Sequence, residues 1–81
     1  MISEADKERL TVGYKQTVRA IGEGKAARAY LAEDCEDKIK KPIEELCAQN
    51  GTELLYVSTM KELGAMCGID VKASCAAVLA D

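Results

Sequence analysis

The chain has 81 residues, of which 48% are hydrophobic and 31% charged, and its formal net charge is −3. This composition excludes a disordered chain, and no apolar run approaches the ~20 residues that span a bilayer. The acidic balance argues against a non-specific nucleic-acid coat protein. We therefore expect one domain over residues 1–81, with a thin core, in a cytoplasmic monomer that does not associate with membranes.

Cysteine usage and the absence of histidine bear on metal and catalytic sites. The four cysteines form no Cys-x-x-Cys pair, and there is no histidine. Zinc sites usually need such pairs or histidine, so we expect no metal, no cofactor, and reduced cysteines that pack in the core. The commonest general base is missing, and no Gly-rich phosphate loop or nucleophile motif is present. The sequence therefore predicts a protein that is not an enzyme.

The first third of the chain predicts a helix, a strand and a second helix. Ser3–Asp6 has the form of a capping box, which predicts a short helix to about Arg9. Leu10–Val12 follows as a short strand. A longer helix is predicted from about Tyr14 to Glu23, and Gly24 closes it.

This second helix opens a basic segment, residues 13–28, in an acidic chain. Four bases against one acid give the segment a charge of +3, whereas seven bases against 13 acids give the remaining residues −6. Helical spacing places Lys15, Gln16 and Arg19 on one side. The other side receives Tyr14, Val18 and Ile21. One face can therefore pack while the other is either a solvated surface or a surface that binds nucleic acid.

The middle of the chain predicts a buried strand, an acidic turn and a helix. Arg28–Ala32 is short and mainly apolar, as buried strands are. We interpret the acids of residues 33–37 as a loop that caps the following helix. The alternative is a catalytic site of paired carboxylates, but the motif contains no basic or nucleophilic partner for them. Pro42 suits the first position of a regular helix, which should end near Asn50 and Gly51.

The last third predicts strand, helix, loop and strand. Glu53–Val57 is a second central strand, and the capping box Thr59–Glu62 opens a helix over about Met60–Cys67. Ile69–Ala73 is a loop, and Cys75–Leu79 is the last strand. Alternating strands and helices imply right-handed crossovers. The fold class predicted is α/β: a three-layer α/β/α sandwich with a mixed, mainly parallel sheet of about four strands.

Four segments cover nearly the whole chain: Gly13–Ile21 with Gly24–Ala26 behind it, Leu31–Cys35, Pro42–Cys47, and Lys61–Gly64 continuing through Cys67–Ile69 to Ala73. In this order and spacing they resemble the kink-turn RNA-binding ribosomal protein family, the "L-seven-Ae" group, and in particular its small bacterial members. Archaeal and eukaryotic members usually have Asn-Glu where this chain has Lys15-Gln16, a pair similar to the bacterial branch.

The resemblance implies a non-catalytic RNA-binding protein that recognises kink-turn RNA with tandem sheared G·A pairs, ribosomal or ribosome-associated. In this family the RNA is held by the start of the basic-faced helix and by the loop before the last strand. Apolar side chains of that loop would contact an unstacked base. Carried over to this chain, the two elements supply Gly13, Lys15, Gln16 and Arg19, and Ile69, Asp70, Val71 and Lys72.

The chemistry of the first element suits such an RNA. A-form RNA hides its base edges in a deep, narrow major groove, and a sharp kink should open it. Lys15 can then donate to guanine O6 and N7, and Gln16 can read a purine edge. Arg19 can reach a phosphate, and Gly13 lets the helix start approach the RNA backbone.

A second hypothesis is a protein-interaction module on the same fold that no longer binds RNA. The acidic surface and the Lys15-Gln16 pair motivate it. The expected partners are thus structured RNA and the ribosome under the first hypothesis, and protein under the second.

Overall fold

The computed structural model describes residues 2–80, which form four helices and four strands. Every helix and strand predicted from the sequence is present. In chain order the elements are α1 (Glu4–Lys7), β1 (Leu10–Val12), α2 (Tyr14–Gly22), β2 (Ala26–Ala32), α3 (Asp37–Asn50), β3 (Glu53–Val57), α4 (Met60–Met66) and β4 (Cys75–Leu79).

The four strands form one mixed sheet in the order β1-β4-β2-β3. β2 pairs parallel with β3, so that Tyr30 lies opposite Leu55. β4 lies between β1 and β2 and is antiparallel to both. The α/β fold with a mixed four-stranded sheet is therefore confirmed, but parallel pairing is limited to β2 and β3 and is less extensive than predicted.

The segment between α4 and β4 explains the direction of β4. It folds back along α4: the Ile69 amide donates to the Gly64 carbonyl at 3.1 Å, and the Ala73 amide donates to the Met60 carbonyl at 3.0 Å. The chain thereby returns to the end where α4 begins, and β4 must run opposite to β3. A Cβ at Gly64 would lie 2.0 Å from the Val71 carbonyl oxygen, so this close approach requires glycine.

The helices cover both faces of the sheet. Arg28 on β2 donates to Asp6 of α1, whereas Tyr56 on β3 donates to Glu44 of α3. Tyr56 lies opposite Leu31, three residues from Arg28, so these two contacts are on opposite faces. α2 packs against α3, and α4 ends beside α1. The predicted three layers are thus α2 with α3, the sheet, and α1 with α4.

The core lies between these layers and contains most of the cysteines. Its largest fully buried apolar side chains are Ile21, Leu31, Ile43, Leu63 and Val78. All four cysteines are free thiols; Cys35, Cys47 and Cys75 are buried and Cys67 is partly buried. Burial raises the pKa of each thiol, which disfavours the reactive thiolate.

The start of α3 differs from the prediction. The helix begins at Asp37, and Pro42 lies inside it. Pro42 removes one backbone bond, but its acceptor would be the carbonyl of Lys38, an exposed residue that water can reach. The extra turn also places Ile39 against the core, four residues before the fully buried Ile43. In residues 2–80 no helix combines the length and apolar character needed to cross a membrane.

Candidate functional site

Three helices begin at one end of the sheet. β1, β2 and β3 run in the same direction, and each is followed directly by a helix, so α2, α3 and α4 all start there. The antiparallel β4 also begins at this end. We call it the helix-start end. In open α/β sheets, ligands bind outside the carboxyl ends of the strands.

Backbone hydrogen bonds join the connections at the helix-start end. The Gly13 amide donates to the Cys75 carbonyl at 3.0 Å, and the Ala32 amide donates to the Ser74 carbonyl at 2.9 Å. The turn between β1 and α2 is therefore fixed to the first residue of β4, and β2 is fixed to the last residue of the loop before β4. The turn and this loop thus meet where β4 begins. These are the two elements that the sequence predicted to act together.

The start of α4 is capped by two side chains. The Thr59 hydroxyl accepts from the Glu62 amide at 3.0 Å, as the capping box predicted. Asp34 Oδ1 accepts from the Met60 amide at 2.8 Å. The acid cluster after β2 was predicted to cap the helix that follows it, α3, but Asp34 caps α4 instead. Glu36, the N-cap residue of α3, makes no side-chain capping bond.

The start of α2 has no side-chain cap. Gly13 precedes the helix with φ of 107°, a value that favours glycine. The Gly13 carbonyl accepts the first helical bond, from the Thr17 amide at 3.0 Å. The backbone amides of residues 14–16 thus have no partner within the described part of the chain. These free donors and the partial positive charge of the helix start can hold an anionic group.

The three predicted donors of α2 are exposed. Lys15 and Gln16 make no ion pair or side-chain hydrogen bond with any residue in 2–80. Arg19 Nε lies 3.5 Å from Glu23 Oε2, with 76% of the Arg19 side chain exposed. Lys25 lies 3.3 Å from the same carboxylate, and this contact and Arg19 lower the pKa of Glu23. Because exposed ion pairs are weak, Arg19 can exchange Glu23 for a phosphate.

The +3 charge of residues 13–28 does not form one continuous surface. The half-buried Arg28 binds Asp6 at 2.9 Å and Glu53 at 3.7 Å. Arg28 therefore ties β2 to α1 and β3 and has a structural role. Of the positive charges in this segment, those of Lys15 and Arg19 remain exposed on α2.

The second predicted element borders an open groove of about 440 Å³ between α4 and the loop before β4. Val71 is 68% exposed there, and Ile69 is half-buried. The loop runs along α4 from Ile69 beside Gly64 to Ala73 beside Met60, so Lys72 is nearer the helix-start end than Ile69. The residues that line the groove are Lys61, Ala65, Ile69, Asp70, Val71 and Lys72.

Two features of this region were missed from the sequence. Tyr14 was placed on the packing side of α2, but it is 36% exposed and its hydroxyl has no partner in residues 2–80. Its position as the first residue of α2 was the available signal, because no earlier helical turn covers it. Lys61 lines the groove, although the sequence indicated only its place in a capping box.

No group of three or more cysteine or acidic side chains in the described residues is placed to hold a metal ion. Exposed donors and a partly apolar groove are thus the chemistry this region offers.

The model of the ribosomal protein L7Ae/L30e/S12e/Gadd45 family matches residues 2–81. The chain belongs to this family. The resemblance found in the sequence motifs is therefore confirmed.

Relatives in the L7Ae/L30e/S12e/Gadd45 family match most of the chain. A protein of Caldanaerobacter subterraneus subsp. tengcongensis, named as an RNA-binding protein, is 50% identical over 66 residues, covering 82% of this chain and 80% of that protein. RNA-binding protein YbxF of Geobacillus stearothermophilus is 34% identical over 71 residues, covering 88% and 87%. Large ribosomal subunit protein eL8 of Halobacterium salinarum is 38% identical over 69 residues, covering 84% and 58%.

Among solved structures, the 15.5kD RNA binding protein of Giardia lamblia has the same fold. It superposes with a TM-score of 0.78 at 20% sequence identity and covers 91% of this chain. The chain spans 62% of the length of that protein.

Proposed function

We propose that this chain is a non-catalytic RNA-binding protein that recognises kink-turn RNA at the helix-start end. The observation that carries the proposal is the uncapped start of α2, where free amides adjoin the exposed, unpaired Lys15 and Gln16. Membership of the L7Ae/L30e/S12e/Gadd45 family supports it, as do three relatives and neighbours whose names describe them as RNA-binding proteins.

The residues of α2 would divide the contacts by chemistry. Lys15 would donate to the O6 and N7 atoms of a guanine in the opened groove, and Gln16 would contact a purine edge. The free amides of residues 14–16 would bind the RNA backbone. Arg19 would leave Glu23 and bind a phosphate, which offers a stronger acceptor to a guanidinium than an exposed carboxylate that it shares with Lys25.

The loop before β4 would hold the part of the RNA that the kink exposes. Ile69 and Val71 give the groove apolar surface for an unstacked base. Lys61 and Lys72 place positive charge on its border. Asp70 is the acidic member of the predicted set and would stay in solvent, since it is exposed and would repel phosphate.

A calorimetric titration tests the proposal. We expect the chain to bind a kinked RNA with tandem G·A pairs more tightly than a straight duplex in which Watson–Crick pairs replace them. Lys15→Ala or Gln16→Ala should each weaken binding by about 1–3 kcal/mol. Lys7→Ala is the matched control for charge, because Lys7 is exposed at the opposite end of the sheet. Equal binding to the two RNAs would refute the proposal.

We further propose that the chain is ribosomal or ribosome-associated and acts in the cytoplasm. Cosedimentation with ribosomes, followed by an RNase wash, separates this from the protein-interaction alternative. Release by RNase supports binding through RNA. Retention after RNase, together with indifference to kinked RNA, supports protein contact. The partly exposed Leu55 and Tyr56 of edge strand β3 are the surface that favours that second function.

A further inference from the structure

Tyr14 differs from the other aromatic residues of the chain. The chain has three tyrosines and neither phenylalanine nor tryptophan. Tyr30 is buried, and Tyr56, on edge strand β3, donates its hydroxyl to Glu44. Tyr14 is 36% exposed, and its hydroxyl has no partner in the described residues. It therefore combines an accessible ring with a free polar group.

The position of Tyr14 brings that ring to the candidate RNA contact. It is the first residue of α2, and the Cα–Cβ bonds of a helix tilt toward its amino terminus. The ring therefore projects toward the uncapped helix start, and the preceding Gly13 has no side chain to cover it. Lys15 follows directly in sequence. An aromatic surface, free backbone amides and a free ammonium group thus occupy the same helical turn.

We infer that Tyr14 stacks on a base of the bound RNA, a contact that rests on the proposed function and adds to it. The face of any base can stack on an aromatic ring, so the contact would add affinity with little dependence on base identity. Lys15 and Gln16 would supply base recognition beside it. A tyrosine suits this place because its ring supplies a flat apolar surface while its exposed hydroxyl can remain solvated.

The test compares Tyr14→Leu and Tyr14→Phe with the unchanged chain. The RNA is a kinked RNA with tandem G·A pairs that carries the fluorescent base 2-aminopurine at one unpaired position of the kink. A set of such RNAs places the label at each unpaired position in turn. Tyr14→Leu should weaken binding about tenfold, because the stacking surface is lost. Tyr14→Phe should bind within about twofold of the unchanged chain, because it keeps the ring. Tyr56→Leu is the matched control and should leave the affinity unchanged.

The fluorescence of 2-aminopurine supplies a reading that a structural role of Tyr14 would not change. Stacking on the ring should quench the 2-aminopurine fluorescence at one labelled position. Tyr14→Phe should give the same quench, and Tyr14→Leu should give none even when the RNA is saturated with protein. Thermal unfolding shows that each variant is folded. Three results would each overturn the inference: unchanged affinity for Tyr14→Leu, equal losses of affinity for Tyr14→Phe and Tyr14→Leu, or no quench that depends on the ring at any labelled position. Lys15→Ala tests the proposed function independently of these results. If the unchanged chain shows no preference for kinked RNA, both fail.

Discussion

Gly64 shows how one residue determines the path of a chain segment. It lies in α4, where the returning loop passes so closely that the Val71 carbonyl occupies the space of a side chain. Glycine inside a helix normally costs about 1 kcal/mol relative to alanine. Glycine is required here despite that cost, because the absence of a side chain lets the loop lie along α4 and return the chain to the helix-start end, where β4 begins.

Gly64→Ala should therefore destabilise the protein, although alanine is the better helix former. We expect a net loss of about 1–3 kcal/mol in the free energy of unfolding, since the backbone at Val71 must move. Gly22→Ala is the matched control. Gly22 is also helical, but a Cβ there meets nothing within 4 Å, so the substitution should stabilise by about 0.5–1 kcal/mol. Urea unfolding measures both, and equal stabilisation by the two variants would contradict the close approach.

Tyr56 provides a pH-dependent prediction. The pKa of Tyr56 is raised to about 12, chiefly because the hydrogen bond to the Glu44 carboxylate holds the phenol proton, with smaller contributions from desolvation and from the negative charge of Glu44. The folded state holds this proton more tightly than the unfolded state does. The contribution of Tyr56 to stability is therefore present below the ordinary pKa of 10.0 and is lost as the pH rises from about 10 to about 12.

Glu44→Gln should lower the pKa of Tyr56 toward its ordinary value, as measured by phenolate absorbance during alkaline titration. Subtracting the titration of Tyr56→Phe isolates this residue from the other two tyrosines. Glu45→Gln removes a neighbouring exposed acid that makes no hydrogen bond to Tyr56 and should leave the titration unchanged. A pKa for Tyr56 that does not respond to Glu44→Gln would contradict the contact.

Among the elements, α4 shows what local sequence can and cannot predict. Thr59 and Glu62 are close in sequence, so their capping bond could be predicted from the residue pattern alone. Asp34 is 26 positions from Met60, and its bond exists only because β2 and β3 pair in parallel and end together. Reading the acid cluster locally assigned Asp34 to the wrong helix.

Asp34→Ala should lower the free energy of unfolding by about 1 kcal/mol, because the Met60 amide loses its acceptor. Asp34→Asn keeps a side-chain oxygen and should cost less. Asp37→Ala serves as the comparison within the same acid cluster: it removes only a favourable charge at the start of α3, worth about 0.3–1 kcal/mol. Chemical denaturation ranks the variants. If Asp37→Ala lowered the free energy of unfolding more than Asp34→Ala does, the capping bond from Asp34 to the Met60 amide would be contradicted.

The other elements were predicted well where periodicity was strong. The strands and the ends of α2 and α3 follow from apolar runs and terminal glycines, and the structure shifts these bounds by few residues. The start of α3 could not be predicted locally, because burial of Ile39 outweighs the bond that Pro42 removes. The antiparallel β4 could not be predicted either, since it depends on the contact between Gly64 and Val71.

For the whole molecule, the sequence revealed where positive charge is concentrated but not how much of it is available. Arg28 is held by Asp6 and Glu53, partners that are distant in sequence and became neighbours only through folding. On α2, Lys15 and Arg19 remain exposed, with Lys15 proposed to contact a base and Arg19 a phosphate. The proposed site is therefore small, in a chain whose net charge is −3.

A site with so few cations should bind RNA with a modest dependence on salt. We expect a slope no steeper than about −3 for the logarithm of the binding constant against the logarithm of the salt concentration. Arg19 would neutralise one phosphate, and Lys61 and Lys72 on the groove border would neutralise at most two more. Arg19→Ala should reduce the magnitude of this slope by about 1. Titrations at several KCl concentrations measure it. A slope steeper than about −5 would instead indicate a broad electrostatic surface that includes the lysines of α3.

The common direction of β1, β2 and β3 has a practical consequence for biophysical work. Because α2, α3 and α4 start at one end, the turn that joins α3 to β3 emerges at the other, where Gln49 and Asn50 are exposed. A biotin or fluorophore attached to the cysteine of a Gln49→Cys variant would hold the molecule by the end opposite the proposed nucleic-acid contact, which would then face the solution. Surface-immobilised assays can thus be arranged without masking the residues they are meant to probe.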